Sequence, residues 1–323
     1  MTKCKKKKYP KTKEGCVREL KDLLKRYNRE DLTRGEYRKL TSLPESVYRY
    51  HYQNFTNFKK AAGIAIKEKQ QPKKLTTEEA TKNHHGTVQI DARNKAVLFI
   101  GDSHLPYEHV DYLRFCRAVS KKHKCQIHLH VGDYEDNHAI SFHDSIGELL
   151  SSGDELNLVI ERTKAWYKAF PNMWIADSNH GSLIYRRMKS HGIPIAYIKP
   201  LNEIYNTPKW QWAEDFMIKT NKNDVYMCHG KSGTYNKLAR EQGCSAVQGH
   251  FHGKFEITWA NTSINERFNM FVGCGINRQS MAFAYGKNNM PQPILGCGGI
   301  DRKGNPFLEK MHLDENGRWI GEL

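Results

Sequence analysis

The chain has 323 residues and a mass of 37.5 kDa, 38% hydrophobic and 27% charged, with a formal net charge of +16. That suffices for one large domain plus a small one, and no stretch approaches the roughly 18 consecutive apolar residues of a membrane helix. The eight cysteines are scattered without a C-x-x-C, which argues against a disulfide framework or a zinc knuckle and for reduced thiols. Met1 to Lys8 has the charged start of a signal peptide, but polar sequence follows where an apolar stretch should be. A cytoplasmic protein is expected, with no membrane association.

The positive charge is uneven. Residues 1–90 carry 23 Lys+Arg against 10 Asp+Glu, leaving 28 against 25 in residues 91–323. Such a front segment suggests a polyanionic partner. From Gly15 to Gly63 three short helices are predicted. Val17, Leu20, Leu23, Leu24 and Tyr27 recur at helical spacing, while Thr33 to Glu36 and Ser42 to Glu45 each have the form of a capping box. The last turn, Phe55 to Ala62, stops at Gly63, suited to a left-handed cap. Arg49, Tyr50, His51, Tyr52 and Gln53 on the third segment are side-chain types that reach phosphates and base edges. A solvated basic face on a small helical domain is the plainer reading. Through Phe55, Phe58 and Ala61-Ala62-Gly63 the stretch also resembles the homing-endonuclease-associated repeat. The expectation is a helix-turn-helix-like module over 1–64 that holds nucleic acid, DNA in the first instance.

Residues 65–93 read as a polar linker, with one helical turn capped at Thr76 to Glu79. From residue 94 the texture changes. Ala96 to Ile100 is a continuous apolar run, as in a strand buried on both faces. Helical periodicity over Val110 to Val119, a strand over Ile127 to Val131, a helix over 147–170 and a strand over Met173 to Ala176 follow. This alternation predicts a largely parallel sheet. After Trp210 come shorter strands at Val225 to Cys228, Ser245 to Gln248, Phe255 to Trp259, Asn269 to Val272 and Ile294 to Cys297. Two sheets flanked by helices accommodate both halves.

Five of these strands end in polar clusters: Gly101-Asp102-Ser103-His104, Gly132-Asp133-Tyr134-Glu135-Asp136, Ser178-Asn179-His180, Cys228-His229-Gly230 and Gly249-His250-Phe251-His252. Ligands of open α/β sheets bind beyond the carboxyl ends of strands, so these clusters are delivered toward one place. Asp and imidazole suit borderline divalent cations such as manganese, iron and zinc. Taken singly, each cluster reads as a turn or a satisfied core histidine, and His128 and His130 are read as structural. The five in this order are a different matter.

In that order they resemble the calcineurin-like metallophosphoesterase superfamily, whose pattern is D-x-H, G-D-x-x-D/N, G-N-H-D/E, H and G-H-x-H, matched here over residues 95–255. The resemblance implies a four-layer α/β/β/α sandwich of two mixed sheets over 94–323. It also implies two divalent cations, manganese first, with iron, zinc, nickel or magnesium as alternatives. Asp133 would bridge them, with Asp102, His104 and His252 completing one site and Asn179, His229 and His250 the other. His180 would stand beside the scissile phosphate to stabilise charge or protonate the leaving oxygen. Two such cations can hold a phosphate and stabilise its attacking and leaving oxygens. One departure concerns Gly181, which stands where the pattern has an acid that orients the histidine; Asp136 is a candidate substitute. The segment Phe271 to Gly298 is similar to the C-terminal part of phosphoesterases encoded by bacteriophages, implying host cytoplasm for a phage-encoded chain.

The basic front favours a phosphodiesterase acting on DNA, a nuclease or DNA-processing enzyme. The protein Ser/Thr phosphatase branch carries R-G-N-H-E, which Asp177-Ser178-Asn179-His180-Gly181 does not match. A protein or small-molecule phosphatase of the same fold is the alternative enzyme. A DNA-binding protein with a degenerate catalytic domain is the alternative of another class.

Overall fold

The computed structural model describes residues 8–64, 86–142, 149–263, 265–277, 279–280 and 292–323. The chain divides into two compact units, 1–79 and 80–323. The lysine run before Lys8 and the turn expected at Thr76 to Glu79 lie outside the described residues.

In the first unit, helices α1 (Lys13–Arg26), α2 (Arg34–Leu40), α3 (Glu45–Tyr52) and α4 (Phe55–Ala61) follow one another. Apolar spacing on α1 buries Cys16, Leu20 and Leu23 against an aromatic cluster in which Tyr48 stacks on Phe58 at 5.2 Å and meets Tyr37 edge-on at 5.8 Å. The capping box at Thr33 forms in both directions, Glu36 N–H donating to Thr33 Oγ1 at 3.2 Å and Thr33 N–H to Glu36 Oε2 at 2.8 Å. The one expected at Ser42 does not form. Pro44 precedes α3 without a side-chain cap, and Ser42 instead donates through N and Oγ, both at 2.6 Å, to the buried carboxylate of Glu19. Tyr37 and Thr41 donate to the same carboxylate at 3.1 and 2.7 Å. The expected third helix is two, because Gln53 turns left-handed (φ 64°) and Asn54 then caps a new helix through Asn57 N–H.

In the second unit six strands form each of two mixed sheets. The strands are β1 (Val88–Asp91), β2 (Ala96–Ile100), β3 (Cys125–His130), β4 (Trp174–Ala176), β5 (Gln211–Ala213), β6 (Asp215–Lys219), β7 (Val225–Cys228), β8 (Ser245–Gln248), β9 (Phe255–Trp259), β10 (Phe268–Val272), β11 (Gly296–Ile300) and β12 (Pro306–Lys310). One sheet runs β12-β11-β2-β3-β4-β5 and the other β1-β6-β7-β8-β10-β9. Strands β2 to β5 are parallel, as the alternation of strand and helix requires, and β11 joins β2 antiparallel.

Period-two alternation builds the layers. From β2, Val97 and Phe99 enter the space between the sheets with Leu129, Val131, Phe216, Met227, Val247 and Met270. Leu98 and Ile100 face outward onto α5 (Tyr112–Lys122) and α6 (Ser152–Ala169) through Phe115, Val119, Trp166 and Phe170. Helices α7 (Leu183–Ser190) and α8 (Leu201–Ile204) lie between β4 and β5 in the chain. Leu238 and Ala239 of α9 (Lys237–Gln242) cover the outer face of the other sheet at Tyr226, Cys228 and Ala246. The four-layer α/β/β/α sandwich is therefore the observed architecture.

The segment read as linker ends earlier than residue 93. Val88 to Asp91 form β1, parallel to β6, with Ile90 buried. Two apolar residues in four are too few for periodicity to reveal a strand without its partner. Among the described residues no helix is long and apolar enough to cross a membrane, and all seven described cysteines are free thiols.

Glu19→Ala should strip four donors of their acceptor and destabilise the first unit by about 2–3 kcal/mol. Amide hydrogen exchange of the full chain checks this. Exchange in α1 to α3 is expected to accelerate while β2 and β3 are unchanged, and unaltered α1 protection would remove Glu19 from the unit's support.

Candidate metal centre

Strands β2, β3 and β4 of one sheet and β7 and β8 of the other end at the same edge, and their turns bring the predicted residues together. Asp102, His104, Asp133 and His252 offer ligand atoms that all lie within 4.8 Å of one another. Asp133, His229 and His250 form a second such group, so Asp133 belongs to both. Asp133 Oδ2 lies 3.5 Å from His104 Nε2 and 3.1 Å from His229 Nε2. His252 Nε2 is 3.0 Å from Asp102 Oδ2 and 3.3 Å from His104 Nε2. His229 Nε2 is 2.7 Å from Asn179 Oδ1 and 3.2 Å from His250 Nδ1, which places Asn179 with the second group.

Backbone geometry makes this convergence possible. His104, Asp133 and His250 adopt left-handed φ of 51°, 46° and 65°, a conformation that non-glycine residues keep only where surrounding structure enforces it. Close approach demands glycine beside them. A Cβ at Gly249 would stand 2.1 Å from Asp102 Oδ1, and one at Gly132 would stand 2.7 Å from His229 Nδ1.

The outer nitrogens are tied so that the inner ones converge. His104 Nδ1 is 2.5 Å from Asp136 Oδ1, and His229 Nδ1–H donates to the Val131 carbonyl at 3.1 Å. Carboxylate or carbonyl partners of this kind fix the tautomer of a metal-ligating imidazole. Electrostatics agree with a cation between the groups. Burial works against charge throughout, yet Asp133 and Asp102 push His229 up to about 9. Asp133 is likewise held well below the usual carboxylate range against burial, by His229 and His180. A proton here takes the place a cation would occupy. Asp102 Oδ1 is buried without a hydrogen-bond partner. Two carboxylates, four imidazoles and an amide oxygen fit two divalent cations of the borderline class.

His180 lies outside these two groups but forms a third with His104 and Asp136. Its Nδ1–H donates to the Asp136 main-chain carbonyl at 2.5 Å, with Asp136 Oδ1 3.4 Å away, and its main-chain N–H donates to Asp133 Oδ1 at 3.0 Å. Its ring meets that of His104 edge-on at 4.6 Å. Against burial, Asp133 and Asp136 raise its pKa. Asp136 thus faces the histidine that lacks an acid at 181. A Cβ at Gly181 would lie 3.1 Å from Ser178 Oγ and 3.3 Å from Glu135 Oε1, close to two side-chain ends that can shift. Burial pushes that Glu135 carboxyl up to about 7. Sequence reasoning missed Glu135 here, and missed Asn137, whose Nδ2 donates to the His180 carbonyl at 3.1 Å. Neither has a spacing signal. His128 and His130 are structural: burial lowers them to about 4 and about 3, and they pair with Ser120 and Ser103.

In the first unit, the five residues singled out on the third segment divide. His51 Nε2 lies 3.2 Å from the Lys11 carbonyl and Tyr52 OH donates to that of Lys13, so both face α1. Arg49 and Gln53 are exposed, and Tyr50 is 85% exposed. Arg34 and Arg38 of α2 join Arg49 around a single carboxylate, Glu45, which leaves a surplus of positive charge on that face.

No protein-family profile matches the chain, and no curated protein matches it. Among solved structures, vacuolar protein sorting 29 from Cryptosporidium parvum is 16% identical, over 69% of this chain and 93% of that one, with a TM-score of 0.41. YfcE, a phosphoesterase from E. coli, is 14% identical over 70% and 96%, with a TM-score of 0.33. Vps29 from Chaetomium thermophilum is 12% identical over 70% and 92%, with a TM-score of 0.35. At these scores the likenesses carry no functional argument, and the geometry of the strand ends does.

The wild-type chain should take up about two equivalents of manganese, and Asp133→Asn about one or none, because the shared anionic ligand is gone. Elemental analysis after gel filtration, with circular dichroism to confirm folding, reads this out. Two equivalents retained by folded Asp133→Asn would remove the residue from the bridging position.

Proposed function

We propose that the chain is a dinuclear metal-dependent phosphoesterase that hydrolyses phosphodiester bonds, in DNA by preference, with residues 1–64 holding the nucleic acid. The observation that carries the reading is Asp133, whose carboxylate closes both ligand groups at the edge of the two sheets. When bound, a pair of divalent cations supplies Lewis acidity toward a phosphate and positive charge at its attacking and leaving oxygens. Asp102, His104 and His252 would hold one cation, Asn179, His229 and His250 the other, and Asp133 would serve both. The Asp136 carbonyl fixes a proton on His180 Nδ1, which leaves Nε2 as the ring nitrogen free for chemistry. Nε2 is then the atom that carries an exchangeable proton for the leaving oxygen. Asn137 steadies the turn that presents it.

The basic first unit supplies sequence-independent affinity for a phosphate backbone. Arg34, Arg38 and Arg49 are the cations grouped around Glu45, and the exposed Tyr50 ring, edge-on to His51, is an apolar surface on which an unpaired base can stack. A phosphatase acting on peptides would gain nothing from this unit.

The deciding experiment offers the manganese-loaded chain single-stranded DNA, duplex DNA, a phosphopeptide and a cyclic nucleotide side by side. Hydrolysis of DNA is expected; hydrolysis of the phosphopeptide alone would overturn the reading. His180→Ala should lower turnover on DNA by about 10²–10⁴-fold with both cations retained. A cation lost with His180 would make it a ligand. Arg38→Ala/Arg49→Ala should weaken duplex binding and flatten the log–log salt dependence by about 0.9 per phosphate contact removed. An unchanged slope would take this face out of DNA binding.

A further inference from the structure

We propose that Arg186, braced by Phe142 and Arg187, forms a second phosphate subsite at the rim of the proposed cation pair and binds the phosphate that flanks the scissile one in a polynucleotide strand. This rests on the phosphodiesterase reading above and names the feature of the substrate that the second unit recognises.

Helix α7 begins just after His180, and its exposed Arg186 reaches back so that Nη2 donates to the main-chain carbonyl of Asn179 at 2.7 Å. The guanidinium therefore lies on the turn that carries both a proposed cation ligand and the proposed proton donor. Phe142, 51% exposed, comes from the loop that follows Asp136. Its ring centroid is 5.4 Å from the Arg186 guanidinium and 4.2 Å from that of Arg187. Arg187 is spent on holding this loop, donating through Nε to Ile140 O at 2.8 Å and through Nη2 to Ser141 O. Arg186 is not spent in this way. Among the described residues no ion pair engages it, whereas Arg162 and Arg318 of the same unit are matched to Glu108 and Asp111. A guanidinium offers five N–H donors in a rigid fork suited to phosphate, and one of them is used here.

An aromatic ring against an arginine without an ion-pair partner, tied to the main chain of a proposed cation ligand, is a preorganised anion contact. The cations neutralise the scissile phosphate. A fixed positive group on the rim gains most from a substrate that carries a second phosphate, as a nucleic acid strand does and a simple monoester does not.

The test measures binding of thymidine 5′-monophosphate and thymidine 3′,5′-bisphosphate to the full-length, manganese-loaded chain by calorimetry. In the wild type the second phosphate should tighten binding about tenfold, the worth of a charge-assisted hydrogen bond at a part-exposed site. Arg186→Gln keeps a donor for the Asn179 carbonyl but loses the charge, and should shrink this advantage to about twofold or less; Arg186→Lys should restore part of it. An undiminished advantage in Arg186→Gln overturns the proposal, and so does an equal loss on both nucleotides, which would mean a purely structural arginine or one on the scissile phosphate. DNA hydrolysis with an unaltered ratio sinks the subsite alone. An Arg186-dependent bisphosphate advantage without hydrolysis of DNA sinks the phosphodiesterase reading and leaves the subsite. Failure of the wild type to bind either nucleotide overturns the subsite.

Discussion

Two buried carboxylates of like charge, Asp102 and Asp133, are the constraint on which the second unit is built. They are 0% and 2% exposed, and burying an ion costs several kcal/mol unless an opposite charge meets it. Imidazoles from both sheets stand against them: His252 lies on Asp102 and His104 on Asp133, and His229, beside Asp133, is the one that the two carboxylates draw toward its charged form. No single strand could supply them. The sandwich is what places β2 and β3 of one sheet opposite β7 and β8 of the other with their carboxyl ends level. The layered core of Val97, Phe99, Leu129 and Met227 thus maintains an electrostatic arrangement at its rim.

Close packing at that rim leaves little freedom. Left-handed backbone at His104, Asp133 and His250 and the contacts that exclude a Cβ at Gly132 and Gly249 mean that the ligand atoms are positioned by the sheets. Such preorganisation suits the proposed centre, where a cation would bind without rearranging its cage.

Much of this was legible in the sequence because the chemistry sits at strand ends. Apolar runs such as Ala96 to Ile100 mark strands buried on both faces, and the polar clusters after them mark the edge where ligands gather. What stayed hidden depends on partners distant in sequence. Val88 and Ile90 become a strand only beside β6, and Ser42 loses its role as a cap only because Glu19, far back on α1, draws it away. His51 and Tyr52 share the composition of their neighbours on α3, yet face the other way because main-chain carbonyls of Lys11 and Lys13 stand there. Gly181 is a gap in the expected pattern, and the acid that stands near His180 instead, Asp136, comes from another strand end.

Asp136 acts through two different atoms, and they differ in how they respond to mutation. Its carboxylate orients His104, so replacement of the side chain disturbs a proposed cation ligand. Its carbonyl orients His180, and a carbonyl is present whatever residue occupies the position. The tautomer of His180 is therefore insulated from the amino-acid identity at 136, while its proton affinity, which the Asp136 charge raises, and the orientation of His104 are not. Substitutions there act on the orientation of His104 first, and the tautomer of His180 is inherited from the course of the main chain. A fold that divides two hydrogen bonds in this way can vary at 136 at the expense of His104 while the tautomer of His180 is kept, and a later compensating change need restore the first alone.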